Sequence, residues 1–375
     1  GDNALDRLAE VPYKKILIVT DPFIAKSKNL NLILDPIKKA GKEYDIFQDI
    51  VPDPPIEKIS LGVKKMLEYK PDAIVAVGGG SAIDSSKSIR EFALRVDHYA
   101  EVGLIAIPTT SGTGSEVTSF AVVSDPAEQR KYPLVSWELT PDEAILDAEL
   151  VKSVPAAITA DTGMDVFTHA LEAYVSVMAS DYTDGLAMKA IQLVFKYLPR
   201  AYKNGAEDAE AREKMHNASC MAGMAFTNAF LGLNHSIAHK IGGEYHVPHG
   251  RANAVLLPHV IKYNASTPSK FVSFPKYKKF IADEKYAEIA AFLGLPAKTT
   301  EEGVQSLINA VIDLMKEVNE PLSFSECGID EETYMRNVPD IANKAFEDQC
   351  TTANPKLPLV KEIEQIMIDA YKGVN

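Results

Sequence analysis

Two uninterrupted apolar runs, AIVAV at 73–77 and LIAI at 104–107, constrain the fold most. Each is short, and neither places a polar residue at alternate positions. That is the pattern of a strand buried on both faces, and such strands belong to parallel sheets covered by helices. A β-branched run, ILIVT at 16–20, ends at Asp21, and residues 44–47 are a weaker strand candidate. Helical periodicity fills the intervals: Leu30 to Ala40, and 57–69, where Ile59, Val63, Met66 and Leu67 share a face. VPDPP at 51–55 is a rigid turn. Strands alternating with helices predict an α/β N-terminal domain with a mostly parallel, Rossmann-like sheet.

After about Val154 the texture changes. Ala-, Leu- and Met-rich helical segments run to the C-terminus and strand-like runs almost vanish. Pro155 stands at the change, so the chain divides into an α/β domain, 1–154, and an all-α domain, 155–375. A length of 375 residues suits two ordinary domains. The segment FPKYKKFIADEK at 274–285 is expected to be a solvated loop or helix start.

Composition excludes several function classes. A net charge of −13 disfavours nucleic acid or an anionic membrane as partner. No apolar run approaches the ~18 residues of a membrane helix. The start, GDNALDRLAE, lacks the features of a signal peptide. Three cysteines, Cys220, Cys327 and Cys350, are far apart with no CxxC, which fits a reducing compartment and no disulfide framework.

Two loops follow apolar strands. GGGSAIDSSK at 78–87 comes directly after AIVAV, and a helix starting near Ala82 would set its open N–H groups at the strand's end. Consecutive glycines let a phosphate approach the backbone, and the helix dipole favours its charge. This is not the GxGxxG fingerprint, and a tight strand–helix turn without ligand is the alternative. IPTTSGTGSEVT at 107–118 is rich in hydroxyls and small residues. Two such loops at one end of a parallel sheet would frame a ligand crevice.

The second half concentrates a different chemistry. Six of the chain's eight histidines lie between His169 and His249. Asp165 and His169 are four apart in a helical segment that no Pro or Gly interrupts from Met164 to Met178, so they share a face. His235 and His239 repeat that spacing, after which Gly242 and Gly243 are expected to break the helix. His249, between Pro248 and Gly250, is expected on a turn. One Asp with several His suits Fe²⁺ or Zn²⁺, although a lone buried His is ordinarily a hydrogen-bonded core residue.

GGGSAIDSSK, IPTTSGTGSE, TADTGMDVFTHALEAYVS and HSIAHKIGGEYHVPHGRANAVLLP stand in an order and spacing that resembles the iron-containing, or group III, alcohol dehydrogenases. The resemblance covers essentially the whole chain. KYPL, REKMHNAS, MAGMAF and FEDQCTTANP resemble the alcohol dehydrogenase half of bifunctional aldehyde–alcohol dehydrogenases, and nearby single-domain ethanol, propanol and butanol dehydrogenases. The family's architecture is that of dehydroquinate synthase. The resemblance implies Asp165, His169, His235 and His249 as ligands of Fe²⁺, with Zn²⁺ as the alternative, and His239 as a proton relay beside them. It implies Gly79, Gly80, Ser81 and Asp84 at the pyrophosphate of NAD, and Asp21 at the adenine-side ribose. Thr109, Thr110, Thr113 and Ser115 would approach the phosphate and nicotinamide end; Asp53 and Lys131 are weaker cofactor candidates. Phe226 and Cys350 would line the substrate pocket.

The expected activity is interconversion of short-chain primary alcohols and aldehydes with NAD(H), a metal-bound alkoxide passing hydride to nicotinamide. A cytoplasmic homo-oligomer is expected, free or inside a protein-shelled bacterial compartment as in some relatives. Relatives usually carry a further stretch before the position of Gly1 that helps join subunits, which leaves the oligomeric state open. The rivals are a dehydroquinate synthase-like lyase, a glycerol dehydrogenase-like enzyme and a non-catalytic metal- or nucleotide-binding protein. The lyase needs cationic side chains for an anionic substrate. The motifs here are flanked instead by Met164, Phe167, Phe226, Phe230 and Leu231.

Overall fold

The computed structural model describes residues 1–97, 101–125, 130–268 and 280–374, with backbone only at 130 and 131. Residues 274–279 of the expected loop or helix start lie outside the described residues, and a helix begins at Ala282. Internal contacts divide the chain into Gly1–Ser153 and Val154–Asn375.

The first unit holds β1 (Lys15–Thr20), β2 (Glu43–Phe47), β3 (Ala73–Gly78), β4 (Gly103–Pro108) and β7 (Glu143–Ala144) in one sheet, ordered β2-β1-β3-β4-β7. Every pairing in it is parallel. Five helices accompany it: α1 (Arg7–Glu10), α2 (Pro22–Lys26), α3 (Asn29–Lys39), α4 (Ile56–Tyr69) and α5 (Gly80–Val96). One face of the sheet packs Ile16, Ile18, Val75, Val77, Ile105 and Ile107 with Ile33 and Ile37 of α3. The other packs Leu17, Val19, Ile74, Ala76, Leu104 and Ala106 with Ile59 and Met66 of α4 and Ile83 and Ile89 of α5. Burial on both faces is why AIVAV and LIAI carry no polar alternation. The chain goes outward from β1 to β2 and returns across β1 to β3. The β1/β3 boundary is therefore the point where strand order reverses, and ligands bind at the carboxyl ends of strands there.

A two-stranded antiparallel ribbon, β5 (Phe120–Asp125) with β6 (Arg130–Val135), was not apparent from the sequence. Val122, Tyr132 and Val135 are exposed and Pro133 interrupts the second strand, so neither alternation nor composition marks it.

Among the described residues the second unit contains helices and no strands: α6 (Ala156–Val175), α7 (Asp181–Asn204), α8 (Ala209–Ala229), α9 (Leu233–Tyr245), α10 (His249–Ala265), α11 (Ala282–Phe292), α12 (Thr300–Glu317), α13 (Glu331–Phe346) and α14 (Val360–Lys372). Ser180, Asp208, Thr299 and Asp330 cap the starts of α7, α8, α12 and α13. α6 is buried nearly all round, packed by α7, α8 and α10. Two local expectations are corrected. α9 runs through Gly242 and Gly243 and ends at His246, whose φ of 57° is left-handed. Two glycines cost only about 1 kcal/mol each in a helix, and packing of Ile237, Ala238 and Ile241 into the core of α9, α10, α13 and α14 overrides it. His249 opens α10 as its first residue instead of lying on a turn.

Candidate metal centre and cofactor crevice

The helical spacings bring four side chains together in the second unit. Asp165 and His169 project from one face of α6, His235 from the first turn of α9, and His249 from the start of α10. The Nε2 atoms of His235, His249 and His169 lie 3.5, 3.6 and 3.9 Å from Asp165 Oδ1. All four ligand atoms fall within 4.8 Å of one another. A tetrahedral ion about 2.1 Å from each ligand would separate them by about 3.4 Å, so the spacing fits one metal ion. The donor set, one carboxylate and three imidazoles, suits Fe²⁺ or Zn²⁺.

Electrostatics agree with that fit. Burial works against a charge on Asp165, but the surrounding His169, His249 and His235 more than offset it and hold the carboxyl below its usual range. Burial also opposes a charge on His235, yet Glu172 and Asp165 raise it to about 9. His249, though 43% of its side chain is exposed, is pushed down to about 3 by its packed surroundings and the neighbouring imidazoles.

Sequence reading missed the residues that support these ligands. Glu172, one turn beyond His169, holds Nδ1 of His235 through one carboxylate oxygen and accepts the Asn234 N–H at 2.8 Å through the other. That leaves Nε2 of His235 facing the cluster, the carboxylate–histidine arrangement typical of metal sites. Its signal was present: 165, 169 and 172 fall on one helical stripe. Asn253, one turn after His249, had the same signal.

Three further expected residues lie around the cluster. The Phe226 ring stacks on His169 with centroids 4.5 Å apart. His239 stacks 5.4 Å from His249 and stands outside the four-ligand set; its Nδ1 is 3.3 Å from Asp348 Oδ2, which Lys240 also binds at 2.6 Å. Cys350 is buried beside Asp348, whose Oδ1 accepts the Cys350 N–H at 3.0 Å, and burial keeps its thiol protonated.

In the first unit, the ends of β1 and β3 carry Asp21 and Gly78–Gly80. α5 begins at Gly80, two residues earlier than the sequence suggests, and no side chain caps it. A Cβ at Gly78, whose φ is 151°, would stand 2.6 Å from Ala82 Cβ; one at Gly80 would stand 2.8 Å from Thr113 Cγ2. Position 78 therefore requires glycine, and the turn's open N–H groups at the start of a 17-residue helix suit a phosphate. Ser81 follows in the first turn of α5, and Thr110 faces Gly79. Asp21 Oδ1 accepts the N–H groups of Phe23 and Ile24 at 2.8 and 2.9 Å, capping α2, while Oδ2 is turned toward Gly78. Thr109 is buried at the end of β4, its N–H donating to Gly78 O.

Other expected cofactor residues have protein partners here. Asp84 accepts from Ser115 Oγ at 2.5 Å and from the Val122 N–H at 3.0 Å, so this pair fastens the loop after β4 to β5. Thr113 Oγ1 accepts the Ser115 N–H. Asp53 lies in the turn before α4 with a left-handed φ of 48°, next to Pro54, whose carbonyl accepts the Ser124 N–H. Lys131 is opposite Ser124 in the ribbon, and its side chain lies outside the described residues.

A doubly covered parallel sheet with a glycine turn at its switch point, and a helical unit gathering one carboxylate and three imidazoles, define a class of metal-dependent, nucleotide-binding proteins. The sequence pattern of the iron-containing alcohol dehydrogenases matches residues 1–148, and that of the family's C-terminal part matches 159–371. The chain belongs to the iron-containing alcohol dehydrogenase family. An aldehyde-alcohol dehydrogenase of Streptococcus pneumoniae is 48% identical over 96% of this chain, which spans 43% of that protein. An NADPH-dependent butanol dehydrogenase of Clostridium saccharobutylicum is 39% identical, covering 100% of this chain and 96% of that one. The solved structure of an iron-containing alcohol dehydrogenase from Thermococcus thioreducens matches with a TM-score of 0.89 at 34% identity, over 100% of this chain and 97% of that one. The chain spans less than half the length of the bifunctional relatives it matches. No helix among the described residues is long and apolar enough to cross a membrane.

Proposed function

We propose that the chain is an NAD-dependent alcohol dehydrogenase that interconverts short-chain primary alcohols and their aldehydes: alcohol and NAD⁺ give aldehyde, NADH and a proton. The observation that carries this is the four-ligand set of Asp165, His169, His235 and His249 in a chain of this family. When bound, Fe²⁺ or Zn²⁺ supplies Lewis acidity to the substrate oxygen, and the nicotinamide accepts or returns the hydride. The protein's own part is to orient and to move a proton. Glu172 fixes His235 so that Nε2 faces the cluster. Phe226, flat against His169, gives the substrate carbon chain an apolar wall. His239 keeps 37% of its side chain exposed and is anchored by Asp348, a placement from which it can exchange the alcohol's proton with solvent. In the first unit, the glycine turn receives the cofactor's pyrophosphate on open N–H groups, and Asp21 Oδ2 accepts from the ribose hydroxyls.

The preferred substrates have roughly two to four carbons, since an apolar pocket distinguishes one methylene by only about 1–3 kcal/mol. The test is metal analysis of anaerobically purified protein, with NADH oxidation scored across aldehydes of increasing chain length. Iron or zinc near one per chain and turnover with propanal and butanal support the reading. No turnover by metal-loaded protein, or a strong preference for polyhydroxylated substrates, overturns it.

A further inference from the structure

Behind the four ligands lies a pair of buried amides. Asn253 is fully buried on α10. Its Nδ2 lies 2.8 Å from Asp165 Oδ1, 3.1 Å from His235 Nε2 and 3.2 Å from His249 Nε2. Chemistry fixes which way the amide points, because turning it over would set its oxygen against the carboxylate oxygen. Behind it, the Asn234 Nδ2 donates to Asn253 Oδ1 at 2.9 Å and to Asn253 O at 3.1 Å. Asn234 is itself fully buried and immediately precedes His235. Its backbone N–H donates to Glu172 Oε1, and the other oxygen of Glu172 holds His235. Two branches therefore start from one residue. The side chain of Asn234 acts through Asn253 on Asp165; its backbone acts through Glu172 on His235.

We infer that Asn253 and Asn234 are positioning residues: a neutral amide clamp that fixes the Asp165 carboxylate against the three imidazoles before a metal ion arrives. The inference rests on the reading of Asp165, His169, His235 and His249 as the ligand set. The residue type follows from the task. An unsupported carboxylate rotates about its last torsion, so each orientation it samples away from the cluster weakens binding. A lysine or arginine in place of Asn253 would hold it but would oppose an incoming cation. An amide supplies N–H donors with no net charge. It also cannot compete as an anionic ligand, which a carboxylate at 253 would do. Full burial of both amides removes the water that would otherwise bond to Asp165 in their place.

The test uses Co²⁺ alone as the probe on metal-free protein, titrated in competition with a chelator, with the visible absorption of bound Co²⁺ as a second readout. Asn253→Leu keeps the branching of the side chain and removes its hydrogen bonds. It is expected to weaken Co²⁺ binding about 10–100-fold, the usual effect of losing an outer partner of a metal ligand, and to alter the absorption bands. Asn234→Ala touches no ligand atom and should weaken binding less. The double variant should be little worse than Asn253→Leu alone, because the Asn234 side chain acts through Asn253. Wild-type affinity and absorption in both single variants, with only the melting temperature lowered, would show that the amides merely pack and would overturn the clamp. If Asn253→Leu does not fold, Asn234→Ala decides: reduced affinity supports the clamp and unchanged affinity removes it. His249→Ala, measured in parallel, separates the two ideas, since undiminished Co²⁺ binding there refutes the ligand set itself.

Discussion

Replacing Glu320 with Gln should make the protein's stability less sensitive to alkaline pH. Glu320 follows α12, and its side chain is 1% exposed. It shares one cation with Asp161: Arg251 Nε is 3.1 Å from Asp161 Oδ1 and 3.5 Å from Glu320 Oε2. Cys327 and Glu326 lie nearby and add no positive charge. Burial, then the Asp161 carboxylate, raise Glu320 to about 8, against which Arg251 pulls down. Two carboxylates around one guanidinium cannot both ionise cheaply. Because the folded-state value lies above the unfolded one, the folded protein binds the extra proton. Glu320's contribution to stability is thus full below about pH 4.5 and is lost as pH rises to about 8. At 1.36 kcal/mol per unit the full span would reach about 5 kcal/mol. Water drawn to the ionised form and local rearrangement relieve part of the burial cost, so about 1–3 kcal/mol is the expected loss.

Gln has the shape of a protonated Glu and a donor for Asp161, but does not titrate. Urea denaturation followed by far-ultraviolet circular dichroism at pH 5.5, 7 and 8.5 isolates the effect, since all other groups titrate in both proteins. Any constant offset between the two proteins is immaterial. The difference in stability, variant minus wild type, should grow by about 1–3 kcal/mol across that range in favour of Gln. A difference that stays flat with pH, or that moves in favour of wild type, would refute the assignment of the proton to Glu320.

Three other outcomes are expected. His249→Ala should abolish turnover and release the metal while NAD still binds, whereas His239→Ala should slow turnover and retain the metal; equal metal loss in both would undo the division between ligand and relay. Asp21→Gly should narrow the preference for NADH over NADPH through the apparent affinity for NADPH, because a 2′-phosphate meets like charge at Oδ2, and Gly at a helix N-cap costs only a few tenths of a kcal/mol. An unchanged ratio, or a wild-type protein that uses both cofactors equally, would strip Asp21 of that role. Lys87 is fully buried on α5 and donates to Thr118 O, Thr118 Oγ1 and Phe120 O at 2.8, 3.1 and 2.7 Å. Lys87→Met should therefore cost about 2–4 kcal/mol and speed hydrogen exchange at 115–125, with unchanged exchange counting against it.

What could be read from the sequence divides along physical lines. AIVAV and LIAI announced the parallel sheet because a strand buried on both faces has only one composition open to it. The ribbon β5–β6 was hidden because its exposed positions carry Val122, Tyr132 and Val135, which erase the polar alternation, and Pro133 sits inside it. In the second unit, the four-residue periods at 165/169 and 235/239 could be read because a helix converts sequence spacing into a shared face. Partners that meet only through packing left no local trace. Nothing near Arg251 in the sequence announces Glu320, and nothing near His239 announces Asp348. Ser115 and Asp84 show the converse. The loop resemblance puts both at the cofactor, while the structure engages them with each other, a contact made by residues 31 apart.

The register of α10 against α6 hangs on Gly250. A Cβ there would lie 1.9 Å from the Asp161 carbonyl oxygen and 2.6 Å from its carbon. Packed atoms sit at about 3.5–4.0 Å, and the obstacle is helix backbone, which cannot swing aside as a side chain can. With Ala at 250, the start of α10 must retreat on the order of 1 Å, and overpacking of this kind usually costs about 1–3 kcal/mol. His249 is the adjacent residue, and Asp165 lies one turn beyond Asp161 on α6, so the retreat widens the 3.6 Å between His249 Nε2 and Asp165 Oδ1. Metal–ligand distances tolerate only about 0.2 Å. Gly250→Ala should therefore lose metal affinity almost as fully as His249→Ala while keeping all four ligands. Chelator competition with Co²⁺ on the soluble, metal-free variant measures this directly. Wild-type affinity in Gly250→Ala would mean that α10 can withdraw without carrying His249 with it, and that the ligand distances are set elsewhere.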